Sequence, residues 1–152
     1  MSIFIEKKTK NFYNIFLKKN DNLKLIKKYI KNIYIPFGLE EYKHKLIINI
    51  ELEKQNEFNE FIKLLQNHIN ELFIKKELVN VFKIRKNKKL LYRLNIKNIK
   101  RTINSKIYYN NNEISIYALD KKINANVEIE ISGIWVHKNT FGIYINLLKL
   151  FY

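Results

Sequence analysis

Apolar positions recur along this chain at two spacings. Between residues 57 and 75, Phe58, Phe61, Ile62, Leu65, Ile69, Leu72 and Phe73 fall three and four apart. On a 3.6-residue helix they form one stripe. Asn56 can cap its start, and Glu57 and Glu60 suit the positive end of the helix dipole. Lys75 and Lys76 suit the other end. The pattern predicts a single helix of about five turns over 57–75.

Elsewhere the spacing is two. Leu46, Ile48, Ile50 and Leu52 alternate with Ile47, Asn49, Glu51 and Glu53, and Val127, Ile129 and Ile131 alternate with Glu128, Glu130 and Ser132. Such alternation reads as half-buried strand. Lys138, Asn139 and Thr140 make a short polar turn, after which Phe141 to Leu147 alternate again, so 126–150 reads as a β-hairpin. Carrying the Val127–Ile131 phase through Gly133 places Trp135 on the inner face. Gly133 and Gly142 stand on opposite arms, and a glycine inside a strand marks a bulge, a bend or a close backbone approach. Further strands are predicted at 23–35, 79–85, 90–97, 106–109 and 114–118, with turns at 86–89 and 110–112. Pro36, Phe37 and Gly38 end the first of these. A mostly β chain of short strands with one long helix fits an OB-like five-stranded barrel ending in a hairpin. The expected plan is a basic extension over 1–22, then one OB-like domain over 23–152.

Composition bounds this picture. The 152 residues suit one domain, and 47% apolar and 14% aromatic residues supply a core that a disordered basic tail would lack. The absence of Cys excludes disulfide scaffolds, thiolate metal sites and cysteine nucleophiles. No apolar run approaches the roughly 20 residues of a bilayer-spanning helix, and residues 1–10 lack a signal-peptide core. A soluble intracellular protein that avoids membranes is expected.

The charge is +15, from 29 basic and 14 acidic residues. Ile, Lys and Asn, all with AT-rich codons, make up 74 of the 152 residues, so where the charge falls is more informative than its size. Residues 1–34 carry 9 basic and 2 acidic side chains, and residues 81–122 carry 12 and 2. Residues 35–80 carry 6 and 8, and residues 123–152 carry 2 and 2. The two basic segments are the candidate anion-binding surface.

Catalysis finds little support. There is no Gly-rich phosphate loop, and His44, His68 and His137 lie in three separate elements. Glu128 and Glu130 share one strand face and read as solvated. We expect no catalytic residues, no metal and no cofactor. Residues 81–109, in contrast, interleave cations with aromatics, the pair of chemistries that single-stranded nucleic acid needs: cations track phosphates and rings stack on bases. Lys83, Arg85, Lys88, Arg93, Lys97 and Arg101 are the candidate phosphate contacts, and Phe37, Tyr92 and Tyr108 the candidate stacking rings. DNA and RNA both satisfy this chemistry, and the apolar alternation of a barrel edge would also serve a homo-oligomer. A second reading is a basic structural or assembly subunit of a nucleoprotein particle or virion, suggested by the basic N-terminus.

The stretch Tyr34-Ile-Pro-Phe-Gly-Leu-Glu-Glu-Tyr42, the strand Lys45 to Glu51 after it, the run Val127-Glu-Ile-Glu-Ile-Ser-Gly-Ile-Trp-Val136, and Phe141-Gly142 with the strand that follows together resemble the OB-fold single-stranded DNA-binding proteins of large DNA viruses. That group is related to phage-type single-stranded DNA-binding proteins. The resemblance spans roughly residues 23–53 and 123–152 and implies a barrel with the helix packed on it. It also implies a role coating single-stranded DNA in viral replication, repair or recombination, in host cytoplasm or nucleus. Phage and bacterial relatives often end in an acidic tail. Here the last residues, Leu147-Leu-Lys-Leu-Phe-Tyr152, hold no acid, which departs from that pattern.

Overall fold

A computed structural model describes residues 2–152. In chain order the strands are β1 (Ile3–Thr9), β2 (Phe12–Lys19), β3 (Asn22–Lys24), β4 (Ile26–Ile35), β5 (Leu39–Tyr42) and β6 (Lys45–Leu52). The helix α1 (Glu57–Leu72) follows, then β7 (Glu77–Leu78), β8 (Phe82–Ile84), β9 (Leu90–Ile96), β10 (Asn98–Ile99), β11 (Thr102–Ile103), β12 (Lys106–Tyr109) and β13 (Asn112–Ile114). A 3-10 turn over Ile116–Ala118 leads into the two longest strands, β14 (Ile123–His137) and β15 (Thr140–Phe151).

The strands pair in the order β14-β4-β6-β9-β15, and β14 also pairs with β15. That last pairing closes a ring of five strands. The barrel is OB-like: in chain order its strands are β4, β6, β9, β14 and β15, and the ring joins first to second to third to fifth to fourth. Alternation explains the core. Ile48, Ile50 and Leu52 of β6, Leu90, Tyr92 and Leu94 of β9, and Val127, Ile129 and Ile131 of β14 are buried in one cluster. The alternate residues lie on the outer face of the barrel, where Ile47, Glu51 and Glu130 are nonetheless buried.

The helix packs Phe58, Ile62, Leu65 and Ile69 into the same cluster. Asn56 caps it as expected, its side chain accepting from the Phe58 amide at 2.9 Å. The helix stops three residues before the predicted end at 75. Phe73 leaves helical geometry, with φ −113 and ψ 53, and its ring packs on Tyr13 at 5.2 Å and Phe141 at 5.1 Å. Packing on the barrel outweighs one more helical turn.

Three further expectations change. Residues 114–118, predicted as strand, give the end of β13 and the 3-10 turn, because the Ser115 side chain accepts from the Tyr117 amide and caps that turn. Of 79–85, only Phe82–Ile84 is strand. Residues 3–19 of the expected basic extension are folded as strand and turn. Ile3–Thr9 and Phe12–Lys19 form an antiparallel hairpin, and β2 pairs with the outer half of β14 through Tyr13↔Ile134 and Phe12↔Trp135. The N-terminal arm that suggested an assembly subunit is therefore sheet.

The phase of β14 also shifts. A bulge between Ile131 and Gly133 moves the inner positions from 127, 129 and 131 to Ile134 and Val136. Trp135, expected inside, faces out.

Candidate nucleic-acid interface

The outer faces of β6, β9 and β15 form the floor of a cleft. Cross-strand register aligns Asn49 with Arg93 and Ile47 with Asn95. Asn146 of β15 lies opposite Asn95, which brings Tyr144 level with Arg93. Tyr42 on β5 rises on one side, held by the hydrogen bond from Asn49 Nδ2 to Glu40 Oε1 at 2.7 Å. Residues 79–83 and Trp135 form the other side. Gln66 of the helix pins that wall by donating to Asn80 Oδ1 at 2.9 Å and accepting from the Val81 amide at 3.3 Å. The cleft encloses about 410 Å3. It continues past Asn95 and Tyr144 into a second hollow of about 640 Å3 that is lined by Lys45, Lys97, Ile99 and Asn146.

Arg93 is the centre of the floor. Its guanidinium lies 3.9 Å from the centroid of the Tyr42 ring, within cation–π range. No acidic side chain pairs with it among the described residues, and its buried Nε has no hydrogen-bond partner. The Tyr42 hydroxyl is held below its ordinary pKa, first by the Lys43 charge and then by Arg93. Lys45 Nζ sits 5.9 Å from the Tyr144 ring, and the Tyr144 ring lies 5.8 Å from that of Phe12. A cation and aromatic row thus crosses the sheet: Tyr42, Arg93, Tyr144, Phe12.

Two glycines make this row flat. A Cβ on Gly142 would lie 2.5 to 2.8 Å from atoms of the Trp135 indole, and a Cβ on Gly133 would meet the Phe12 ring and the Tyr13 carbonyl oxygen. Each ring therefore lies across a neighbouring strand where only a hydrogen leaves room.

The predicted site residues divide. Arg93 and Lys83 line the first hollow and Lys97 the second. Lys97 is occupied, though, with its Nζ 2.8 Å from the buried Glu130 carboxylate. Glu130, read as solvated, is 3% exposed. Arg85 is turned away from the cleft. It pairs with Glu51 at 2.8 Å, and its guanidinium covers the Phe37 ring at 5.2 Å. Lys88 and Arg101 stand on exposed turns apart from the cleft, in left-handed backbone at φ 68 and φ 67.

The stacking residues fare worse. Tyr92 is 0% exposed and packs between Phe58 and Phe82, and its hydroxyl donates to Asn59 Oδ1 at 2.6 Å. Burial pushes its pKa up. It has no face for a base, because on β9 it alternates in phase with Leu90 and Leu94. Phe37 is 38% exposed, but Arg85 covers its ring. Tyr108 on β12 stacks on Phe151 at 5.2 Å with an interplanar angle of 11°, beyond the end of the cleft. The rings that do line the row are Tyr42, Tyr144, Trp135 and Phe12. Gly133 and Gly142 were the sequence signal for two of them, Phe12 and Trp135.

No protein-family model matches the chain, and no curated protein sequence matches it. Among solved structures it is similar to the single-stranded DNA-binding protein from bacteriophage Enc34, in a C-terminally truncated form. The TM-score is 0.58 with 14% sequence identity, over 98% of this chain and 93% of that one. The two chains share a fold. That agrees with the barrel read from the sequence, and it supplies a phage counterpart where the motifs suggested large DNA viruses. Among the described residues no helix is long and apolar enough to cross a membrane, and no group of three metal-ligating side chains gathers.

Proposed function

We propose that this protein binds single-stranded DNA without sequence preference in the cleft across β6, β9 and β15. One observation carries the reading: an arginine with no acidic partner among the described residues, stacked on Tyr42, on the floor of a cleft with Tyr144 and Trp135 beside it. OB barrels take oligonucleotides on the face of their second and third strands and in the loops after the first and fourth. Here those strands are β6 and β9. The first loop carries β5 with Tyr42, and the other is the tip of the β14–β15 hairpin. Likeness in fold to a phage single-stranded DNA-binding protein supports the same ligand.

Arg93, Lys83 and Lys45 would neutralise phosphates, and the exposed rings would stack on bases. Ring faces accept every base, so binding follows strand state and not sequence. The work proposed is coating and protecting single strands where viral genomes are replicated, repaired or recombined. No catalysis is assigned.

Trp135 is the only tryptophan, so intrinsic emission reports this surface directly. Titration with a single-stranded DNA of ~30 nucleotides, long enough for the ~4–16 nucleotides an OB fold covers, should change Trp135 emission. Anisotropy of the same labelled strand should show much tighter binding than to the matching duplex. Equal, weak binding to both forms that vanishes with modest salt, and leaves Trp135 emission unchanged, would reject the cleft as the site. A matched RNA strand in competition sets the DNA preference.

A further inference from the structure

We infer that the β1–β2 hairpin is itself part of the binding track, carrying the single strand off the five-stranded ring and over a basic turn. This rests on the reading of the cleft as a single-stranded DNA site. The row of rings does not stop at the ring of strands. Its last member, Phe12, comes from the hairpin, lies across Gly133 of β14 and reaches the Tyr144 ring at 5.8 Å. From β9 to β2 the row crosses three strand spacings of about 4.8 Å, roughly 14 Å in all. That is room for several nucleotides at about 3.4 Å each when stacked as in a duplex strand.

The chemistry past Phe12 continues that of the cleft. The Val136 amide donates to the Asn11 carbonyl oxygen at 2.9 Å, which fixes the β1–β2 turn beside the tip of the β14–β15 hairpin. Lys10 lies in that turn, Lys8 at the β1 bulge next to it and Lys7 one residue earlier, opposite Tyr13, all exposed. None of the three pairs with an acid among the described residues. Lys138 is exposed on the neighbouring tip, where Lys76 Nζ donates to its carbonyl oxygen at 2.6 Å. Bases stacked on Tyr144 and Phe12 would leave their backbone running toward these cations. The hairpin is thus placed by aromatic contact and equipped by charge to hold the same ligand as the cleft.

The test uses the full chain with Lys7→Ala, Lys8→Ala and Lys10→Ala combined. These side chains are exposed, so the fold should survive, which circular dichroism checks. Binding is measured on oligothymidylates of increasing length and at several salt concentrations, beside the wild type and Arg93→Ala. If the three lysines each contact a phosphate, the salt slope falls by about 2, at about 0.7 per contact on single strands. The occluded site should also shorten by a few nucleotides, and binding to the shortest strands should hold within about twofold. Phe12→Leu should shorten the site in the same way and keep the salt slope.

A triple variant with wild-type slope and site size, beside a weakened Arg93→Ala, would overturn the hairpin track and leave the cleft reading standing. A lower slope with equal loss at every length and an unchanged site size would also overturn it, because the lysines would then act only as a distant field. If the wild type fails to bind single strands, the cleft reading fails, and the hairpin track falls with it.

Discussion

Arg85 and Arg93 stand at opposite ends of one small hairpin, and their surroundings differ completely. Arg85 meets Glu51, 5% exposed on β6, and Lys89 reaches the same carboxylate at 3.8 Å. Asn87 adds a contact to Glu51 at 3.4 Å. At that end charge is spent inside the protein, holding the β8–β9 hairpin to β6. Arg93 pairs with no acid among the described residues; its guanidinium lies over the Tyr42 ring and lines the cleft. A +10 segment therefore contains both structural and available cations. What separates them is the β6 residue within reach: Glu51 meets the Arg85 guanidinium at 2.8 Å, whereas Asn49 lies opposite Arg93. A neutral amide leaves the arginine free where a carboxylate would bind it.

This contrast can be broken from either end. The largest effect should come from Tyr144→Ala, which removes the ring at the middle of the row. Loss of one stacked base costs about 1–3 kcal/mol, or roughly 5- to 150-fold in affinity, more than the accompanying change in stability explains. Anisotropy and denaturant titration of the same sample read both quantities. Arg85→Ala should do the reverse. Leaving the buried Glu51 short of a partner should lower stability by about 1–3 kcal/mol, with the remaining Lys89 and Asn87 contacts keeping it toward the lower end. Affinity for single strands should stay within about twofold. A large loss of affinity there, without loss of stability, would show that the two ends are not distinct.

A smaller change sharpens the comparison. Arg93→Ala should lower the salt slope of single-strand binding by about 0.7, the value for one phosphate contact. Lys97→Ala should lower it less, because Glu130 already neutralises that ammonium. The smallest effect is on pH. The Tyr42 pKa is depressed, so its hydroxyl ionises at lower pH than an ordinary tyrosine. Below that pKa Tyr42 is neutral and Arg93 keeps its full charge for DNA. As pH rises through it, a phenolate beside Arg93 competes with phosphate, so affinity should decline before pH 10. Tyr42→Phe should remove that early decline, and a titration of Kd against pH reads it.

Periodicity made much of the fold legible. The helical stripe from Phe58 to Ile69 and the alternation in β6, β9, β14 and β15 are local patterns, and each became the expected element. The inward position of Tyr92 was written in the same alternation, beside Leu90 and Leu94, and only its aromatic character suggested a stacking role. Other features depend on partners far away in sequence. Glu51 and Arg85 are 34 residues apart, and Glu130 and Lys97 are 33 apart, so nothing near either cation announces its counterion. The outward turn of Trp135 depends on one extra residue at the Ile131–Gly133 bulge, which reverses the phase of everything after it. The N-terminal hairpin was hidden because its exposed cations mask an apolar face that finds its partner, β14, more than 100 residues later.

That partnership has a kinetic side. Phe12 pairs with Trp135, and the ring closes only when β14 meets both β4 and β15. In the order of synthesis β14 and β15 follow the other three ring strands, so the first hairpin emerges long before its docking strand exists. Contacts this distant in sequence slow folding, because the chain loses entropy before they form. Tyr144 and Trp135 take their places at this same step. The chain would therefore acquire its cleft all at once and late, and a partly folded molecule would have little grip on a single strand.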